Sequence, residues 1–167
     1  MRGSQVKNIV KVMQKSFPAL TYLNISAWSG NVPVLPAGFL GGCAPRLQEI
    51  ALYGIPSPAL PTLLLSASDL VKLDLFDIPP SGYISPEAML ASLAALPKLE
   101  TFVIGFQLAT SRPVWIQLPP ATRTVLPSLM YFRFKGASEY LEDLVARIDG
   151  PQLKQIVVAY LNQAVDF

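Results

Sequence analysis

A short phrase returns six times along this chain, a leucine followed three and five positions later by two further apolar residues. It reads LTYLNI from Leu20, LQEIAL from Leu47, LVKLDL from Leu70, LETFVI from Leu99, LMYFRF from Leu129 and LKQIVV from Leu153. The leading leucines are separated by 27, 23, 29, 30 and 24 residues. Two positions before the leucine stands a proline, at Pro18, Pro45, Pro97, Pro127 and Pro151; the third copy has Ser68 there. A unit of this size has too little apolar surface to fold alone and must stack on its neighbours, so the period predicts a solenoid.

The LxxLxL spacing points to leucine-rich repeats. Within each phrase apolar and polar positions alternate, as in Leu73, Asp74, Leu75, which reads as a short strand with one face inward. Counting the leading leucine as position one, positions one, four and six form the core ladder, and positions three, five and seven point to the opposite side. The expected fold is therefore α/β, an irregular leucine-rich-repeat solenoid with a parallel sheet on the concave face and short helices and loops on the convex face. It comprises about six repeats over residues 5–167, with 1–4 a candidate expression scar and both ends reading as cut from a longer array.

The displayed strand face is the candidate working surface. Position three contributes Tyr22, Glu49, Lys72, Thr101, Tyr131 and Gln155; position five Asn24, Ala51, Asp74, Val103, Arg133 and Val157; position seven Ser26, Tyr53, Phe76, Gly105, Lys135 and Ala159. Among these, Tyr22, Tyr53, Phe76 and Tyr131 supply aromatic anchors of the kind that carry protein interfaces, while Glu49, Lys72, Asp74, Arg133 and Lys135 orient a partner. The alternative is that such residues only stabilise the sheet, as Glu49 beside Lys72 would.

Between phrases, Ser85 to Leu96 reads as the clearest helix, with Ser85 to cap, Pro86 at the first helical position, Glu87 favouring the dipole, and Met89, Leu90, Leu93 and Leu96 on one face. Ser138 to Ile148 follows the same logic, with Ser138 as cap and Leu141, Leu144, Val145 and Ile148 as the apolar face. Ser57 to Leu65 allows one or two turns, limited by Pro58 and Pro61. Gln5 to Lys15, with Val6, Ile9, Val12 and Met13 at helical spacing, reads as a convex helix or a partial cap. Asn31 to Gly42 is a loop or short 3₁₀ turn. The longest irregular stretch, Gln107 to Val125, carries Trp115 and Ile116 among prolines; it either folds back on the repeat edge or offers a loop contact to a partner.

Composition excludes several classes. The chain is 51% apolar and 14% charged, with no apolar run long enough for a membrane span and no signal peptide at its start. Its formal charge of +2 and scattered lysines and arginines do not make a nucleic-acid surface. There is no histidine, which removes Ser-His-Asp and Cys-His sites and His-containing zinc sites. The single cysteine, Cys43, has no internal partner, so the chain fits a reducing compartment, cytoplasm or nucleus. Cys43 is expected to be a small buried side chain, the other reading being a reactive thiol. Glu139, Glu142 and Asp143 lie within one helical turn and read as a solvated helix start rather than as opposed hydrolase carboxylates. Asp69, Asp74 and Asp77 lack calcium-loop spacing. No catalytic residue, cofactor or metal is assigned, and the chain is not expected to be an enzyme.

Position nine of each phrase, where regular repeats carry a turn-binding Asn or Cys, holds Trp28, Ile55, Ile78, Gln107, Ala137 and Leu161, so the stack is expected to be irregular. The segments FPALTYLNIS, FLGGCAPRLQEIALYGIP, SGYISPEAMLASLAALPKLETFVIGFQ and SEYLEDLVARIDGPQL resemble the leucine-rich region of fungal, mushroom-type F-box-like proteins, over roughly residues 5 to 163. In that family an F-box docks on the Skp adaptor of a cullin-based ubiquitin ligase and the repeats hold the substrate. The resemblance covers the repeats, and no F-box is visible ahead of Val6. It implies a protein-interaction domain that recognises substrates; Val114 to Leu118 is more apolar than the family pattern. The alternative is a structural module that self-associates through open repeat ends without a ligase role.

Overall fold

The computed structural model describes residues 12–27, 34–108 and 123–161. Trp115 and Ile116, the proposed loop contacts, lie outside the described residues, as do Val6 and Ile9 of the opening helix. Each phrase becomes a strand: β1 (Tyr22–Ser26), β2 (Glu49–Tyr53), β3 (Lys72–Ile78), β4 (Thr101–Phe106), β6 (Tyr131–Gly136) and β8 (Gln155–Tyr160). These form one six-stranded parallel sheet in the order β1-β2-β3-β4-β6-β8. The architecture is α/β, and strands next to each other in the sheet come from successive phrases.

The prolines find their reason at the entry to each strand. The leading leucine's N–H donates to the carbonyl three residues earlier in every copy: Leu20 to Phe17 (3.0 Å), Leu47 to Ala44 (3.2 Å), Leu70 to Ala67 (3.0 Å), Leu99 to Leu96 (3.2 Å), Leu129 to Leu126 (3.3 Å) and Leu153 to Gly150 (3.0 Å). That bond closes a β-turn whose second residue is the proline, the position for which its fixed φ is suited. Ser68 occupies the same place in the third copy.

Register follows the phrase position for position. Tyr22 pairs with Glu49, Glu49 with Lys72, Lys72 with Thr101, Thr101 with Tyr131 and Tyr131 with Gln155. One irregularity interrupts it: β3 shifts between Leu75 and Ile78, where Asp77 has a φ of 52°. Phe76 and Asp77 thus stand where β4 has Gly105 alone, a bulge with one extra residue on one strand.

The core ladder is enclosed in the middle copies, where Leu47, Ile50, Leu52, Leu70, Leu73, Leu75, Leu99, Phe102, Ile104, Leu129, Phe132 and Phe134 are all buried. Phe102 and Phe132 stack at 5.4 Å between ring centroids. The sixth copy departs from expectation: Ile156 is 54% and Val158 38% exposed, because among the described residues no element covers the core side of β8.

Helices lie on the core side, where they fill the space above the leucine ladder. They are α1 (Leu60–Leu64), α2 (Pro86–Leu93) and α3 (Ser138–Arg147). Ser85 caps α2 as expected, its side chain accepting from the Ala88 N–H at 3.2 Å. Ser138 does not cap α3. Ala137 takes the extended N-cap position, so Ser138 becomes the first helical residue and its hydroxyl turns to Glu139 Oε2 at 3.3 Å. Tyr140, rather than the exposed Val145, faces inward from α3. It contacts Phe106, Phe134 and Tyr83 and donates its hydroxyl to the Ile84 carbonyl at 3.0 Å; burial pushes its phenol pKa well up. Of the stretch read as a loop or short 3₁₀ turn, Phe39–Gly42 forms 3₁₀-type turns broken by a kink, with positive φ at Leu40 (55°) and Gly41 (66°). The tail of the long irregular stretch, Thr124–Val125 (β5), pairs in parallel with Ile148–Asp149 (β7), a small ribbon absent from the sequence reading. Cys43 is exposed, not buried: in the extended chain after the turn it points outward while Ala44 is enclosed.

Candidate functional site

Strand alternation places positions three, five and seven on the face opposite the helices, and the shared register gathers them into continuous rows. Tyr22, Glu49, Lys72 and Arg133 are exposed on this face; Tyr53, Asp74, Phe76, Tyr131 and Lys135 are half-buried. Ala51, Val103 and Gly105, read from the sequence as displayed, are buried instead. Their side chains are short and their neighbours long, so the surrounding residues close over them.

Two linked clusters result. In the first, the Tyr53 hydroxyl donates to Asp74 Oδ2 at 2.7 Å. Desolvation, followed by that bond to a carboxylate, pushes the Tyr53 phenol up to about 12. The other oxygen, Asp74 Oδ1, is buried with no hydrogen-bond partner, an arrangement that costs stability. Beside this pair the Asn24 amide donates to the Tyr22 hydroxyl at 3.1 Å.

The second cluster is built on the bulge. Phe76 lies over Gly105, where an added Cβ would stand 3.0 Å from the ring. Glycine at this position is what lets the ring settle against the sheet. The Arg133 guanidinium sits 5.4 Å and the Lys135 ammonium 5.0 Å from the Phe76 centroid, both within cation–π range. Lys135 is also tied to Asp77 Oδ1 at 3.1 Å, the residue the bulge turns toward it.

The charges therefore divide into committed and uncommitted ones. Asp74 is held by Tyr53, and Lys135 by Asp77. Among the described residues Arg133, Lys72 and Glu49 close no ion pair, although Glu49 and Lys72 face each other in register. Of these, Arg133 alone is preoriented, by its stack on Phe76. The sequence named every residue in both clusters except Asp77, which it treated only as a failed calcium ligand. The bulge that delivers Asp77 has no sequence signal.

Elsewhere, Asp69 pairs with Lys98 at 2.6 Å and Glu87 with Arg147 at 3.5 Å, exposed pairs of the kind that contribute little. Glu142 lies exposed on α3. Among the described residues no group of three or more His, Cys, Asp or Glu is placed to hold a metal ion, and no helix is long and apolar enough to cross a membrane. No family model matches the chain, and neither a curated protein nor a solved structure matches it.

Proposed function

We propose that this chain is a protein-interaction module of the leucine-rich-repeat kind, a solenoid whose exposed sheet face grips a partner, as the substrate-recognition repeats do in the F-box-like proteins it resembles. Five successive parallel strand pairings, matched position for position except at the β3 bulge, support the repeat reading. The observation that carries the binding reading is Arg133, exposed, free of an ion pair among the described residues and stacked on Phe76. A guanidinium held over a ring loses less side-chain freedom when its fork takes a partner carboxylate. Tyr131, two residues before Arg133 on the same strand, offers amphipathic contact area to an apolar group flanking that carboxylate, and Tyr53 and Tyr22 extend the aromatic surface across β2 and β1. The work is recognition rather than catalysis, and in a ligase it would be substrate selection.

Panning a random peptide library on the immobilised protein tests this. Wild type is expected to enrich sequences with an acidic residue beside an apolar or aromatic one. Arg133→Glu should remove or invert that charge preference, and Phe76→Ala should weaken it by freeing the guanidinium. Peptides enriched equally by wild type and both variants would sink the assignment of this face.

A further inference from the structure

We infer a second docking surface, independent of the first: the edge of β8, which pairs with β8 of a second copy of this chain, antiparallel and about a twofold axis through Val158. Three properties of this strand converge on that occupant.

The first is its backbone. The Gln155 N–H donates to Met130 and the Leu161 N–H to Gly136, both at 3.1 Å, so odd-numbered residues of the strand bond inward to β6. By strand parity the N–H and C=O groups of Ile156, Val158 and Tyr160 point the other way, to an edge that pairs with no other strand among the described residues. The second is its side chains. The same residues leave the core side of the strand uncovered: Ile156 is 54%, Val158 38% and Tyr160 61% exposed. The third is what β8 lacks. From Gln155 to Tyr160 it contains no charge and no proline, the devices that ordinarily stop edge strands from pairing.

The strand is also self-complementary. With the axis at Val158, Val158 meets Val158 of the second copy and Ile156 meets Tyr160, each as a hydrogen-bonded pair. On the other face the small Val157 meets Ala159. An aliphatic residue opposite an aromatic one is a favourable cross-strand pair. Lys154, exposed just before the strand, stands eight residues along from its symmetry mate, about 27 Å, and Arg133 and Lys135 belong to β6, so three strand spacings, about 14 Å, separate them from theirs. Both distances exceed the roughly 8 Å screening length at physiological salt. The opposite edge is a poorer acceptor, because the core-side residues of β1, Leu23 and Ile25, are already buried. A closed twofold pair follows rather than a head-to-tail chain.

Sedimentation equilibrium on the full chain reads the outcome. The average mass should rise from 18.1 kDa toward about twice that value with concentration and stop there. Val158→Lys places two ammonium groups against each other at the axis and should weaken association by about tenfold or more. Leu65→Lys, exposed on the helix side, should leave it unchanged. The position is checked by cross-linking in a Cys43→Ser background. Val158→Cys should give a disulfide-linked dimer on aerobic oxidation, since residues of a hydrogen-bonded pair stand about 5.5 Å apart at Cα. Val157→Cys should not, being offset from its mate by two residues. A monomer at every concentration, growth past two copies, association unchanged in Val158→Lys, or cross-linking through Val157 but not Val158 would each overturn the inference. A foreign strand on this edge would appear as a monomer that gains mass only with added peptide, and that too would overturn it. None of these outcomes touches the peptide preference of Arg133, so the two surfaces fail separately.

Discussion

Phe102 and Ile156 occupy the same fourth position of their phrases, yet alanine at the two sites should have very different costs. Phe102 is fully enclosed and stacked on Phe132 at 5.4 Å, whereas Ile156 is 54% exposed. Truncating a buried phenylalanine costs about 3–5 kcal/mol through lost transfer energy and the cavity left behind. The lost stacking on Phe132, worth about 0.5–1.5 kcal/mol, is part of that cost, and Phe102→Ala is expected at about 4 kcal/mol. For Ile156 about half the side chain is already in water and no closed cavity can form, so ~1 kcal/mol is expected. With a urea slope of about 2 kcal/mol/M, the midpoints should fall by about 2 M and 0.5 M respectively. Far-UV circular dichroism at low protein concentration is the assay, and Phe102→Leu, which keeps most of the volume, should fall between the two. Equal midpoint shifts for the two alanine variants would refute the burial ladder, because position in the phrase would then outweigh enclosure.

The two helix starts give a sharper local contrast. Ser85→Ala removes a cap that accepts from Ala88 and should cost about 1 kcal/mol, while Ser138→Ala, where the serine does not cap, should cost only a few tenths. Thermal midpoints of the two variants decide it. Tyr53 should titrate near 12 by tyrosinate absorbance, and Asp74→Asn should bring it part of the way back toward 10, because burial, the larger cause, remains when the carboxylate is removed. Because its folded pKa lies above the unfolded one, the stability Tyr53 contributes is complete below pH 10 and is lost as pH rises from 10 to about 12. Tyr53→Phe should remove the part of that loss due to Tyr53 and leave the part due to the buried Tyr140, and a stability profile over this window identical to that of wild type would contradict the raised Tyr53 pKa.

Several elements were legible because they depend on near neighbours in the chain. The strand parity of LxxLxL, the cap at Ser85 and the prolines ahead of five of the six strands rest on backbone geometry over a few residues, and all of them stand in the structure. The strand face was legible as a list of residues, since alternation alone assigns side. Its internal wiring was not. The Phe76 stack needs the β3 bulge, the absent side chain of Gly105 and two cations from β6 to coincide. Cys43 and Ser138 were misread for a similar reason: one residue's shift in where an element begins reverses which way a side chain points.

By itself, then, the sequence determined the unit, its strand, its turn and the face to which each side chain belongs, because these follow from φ/ψ preferences and a period of two. Only the tertiary structure decided which copies are enclosed and which charges remain unspent. Enclosure depends on what lies across the stack: the phrase at Leu129 buries its phenylalanines beneath α3, while the equivalent residues at Leu153 face outward. Charge availability depends on partners from other strands, which among the described residues leave Arg133 without an ion pair and bind Lys135 to Asp77. Both are properties of distance in space, and residues about 60 positions apart along the chain meet only when the strands between them have been laid down.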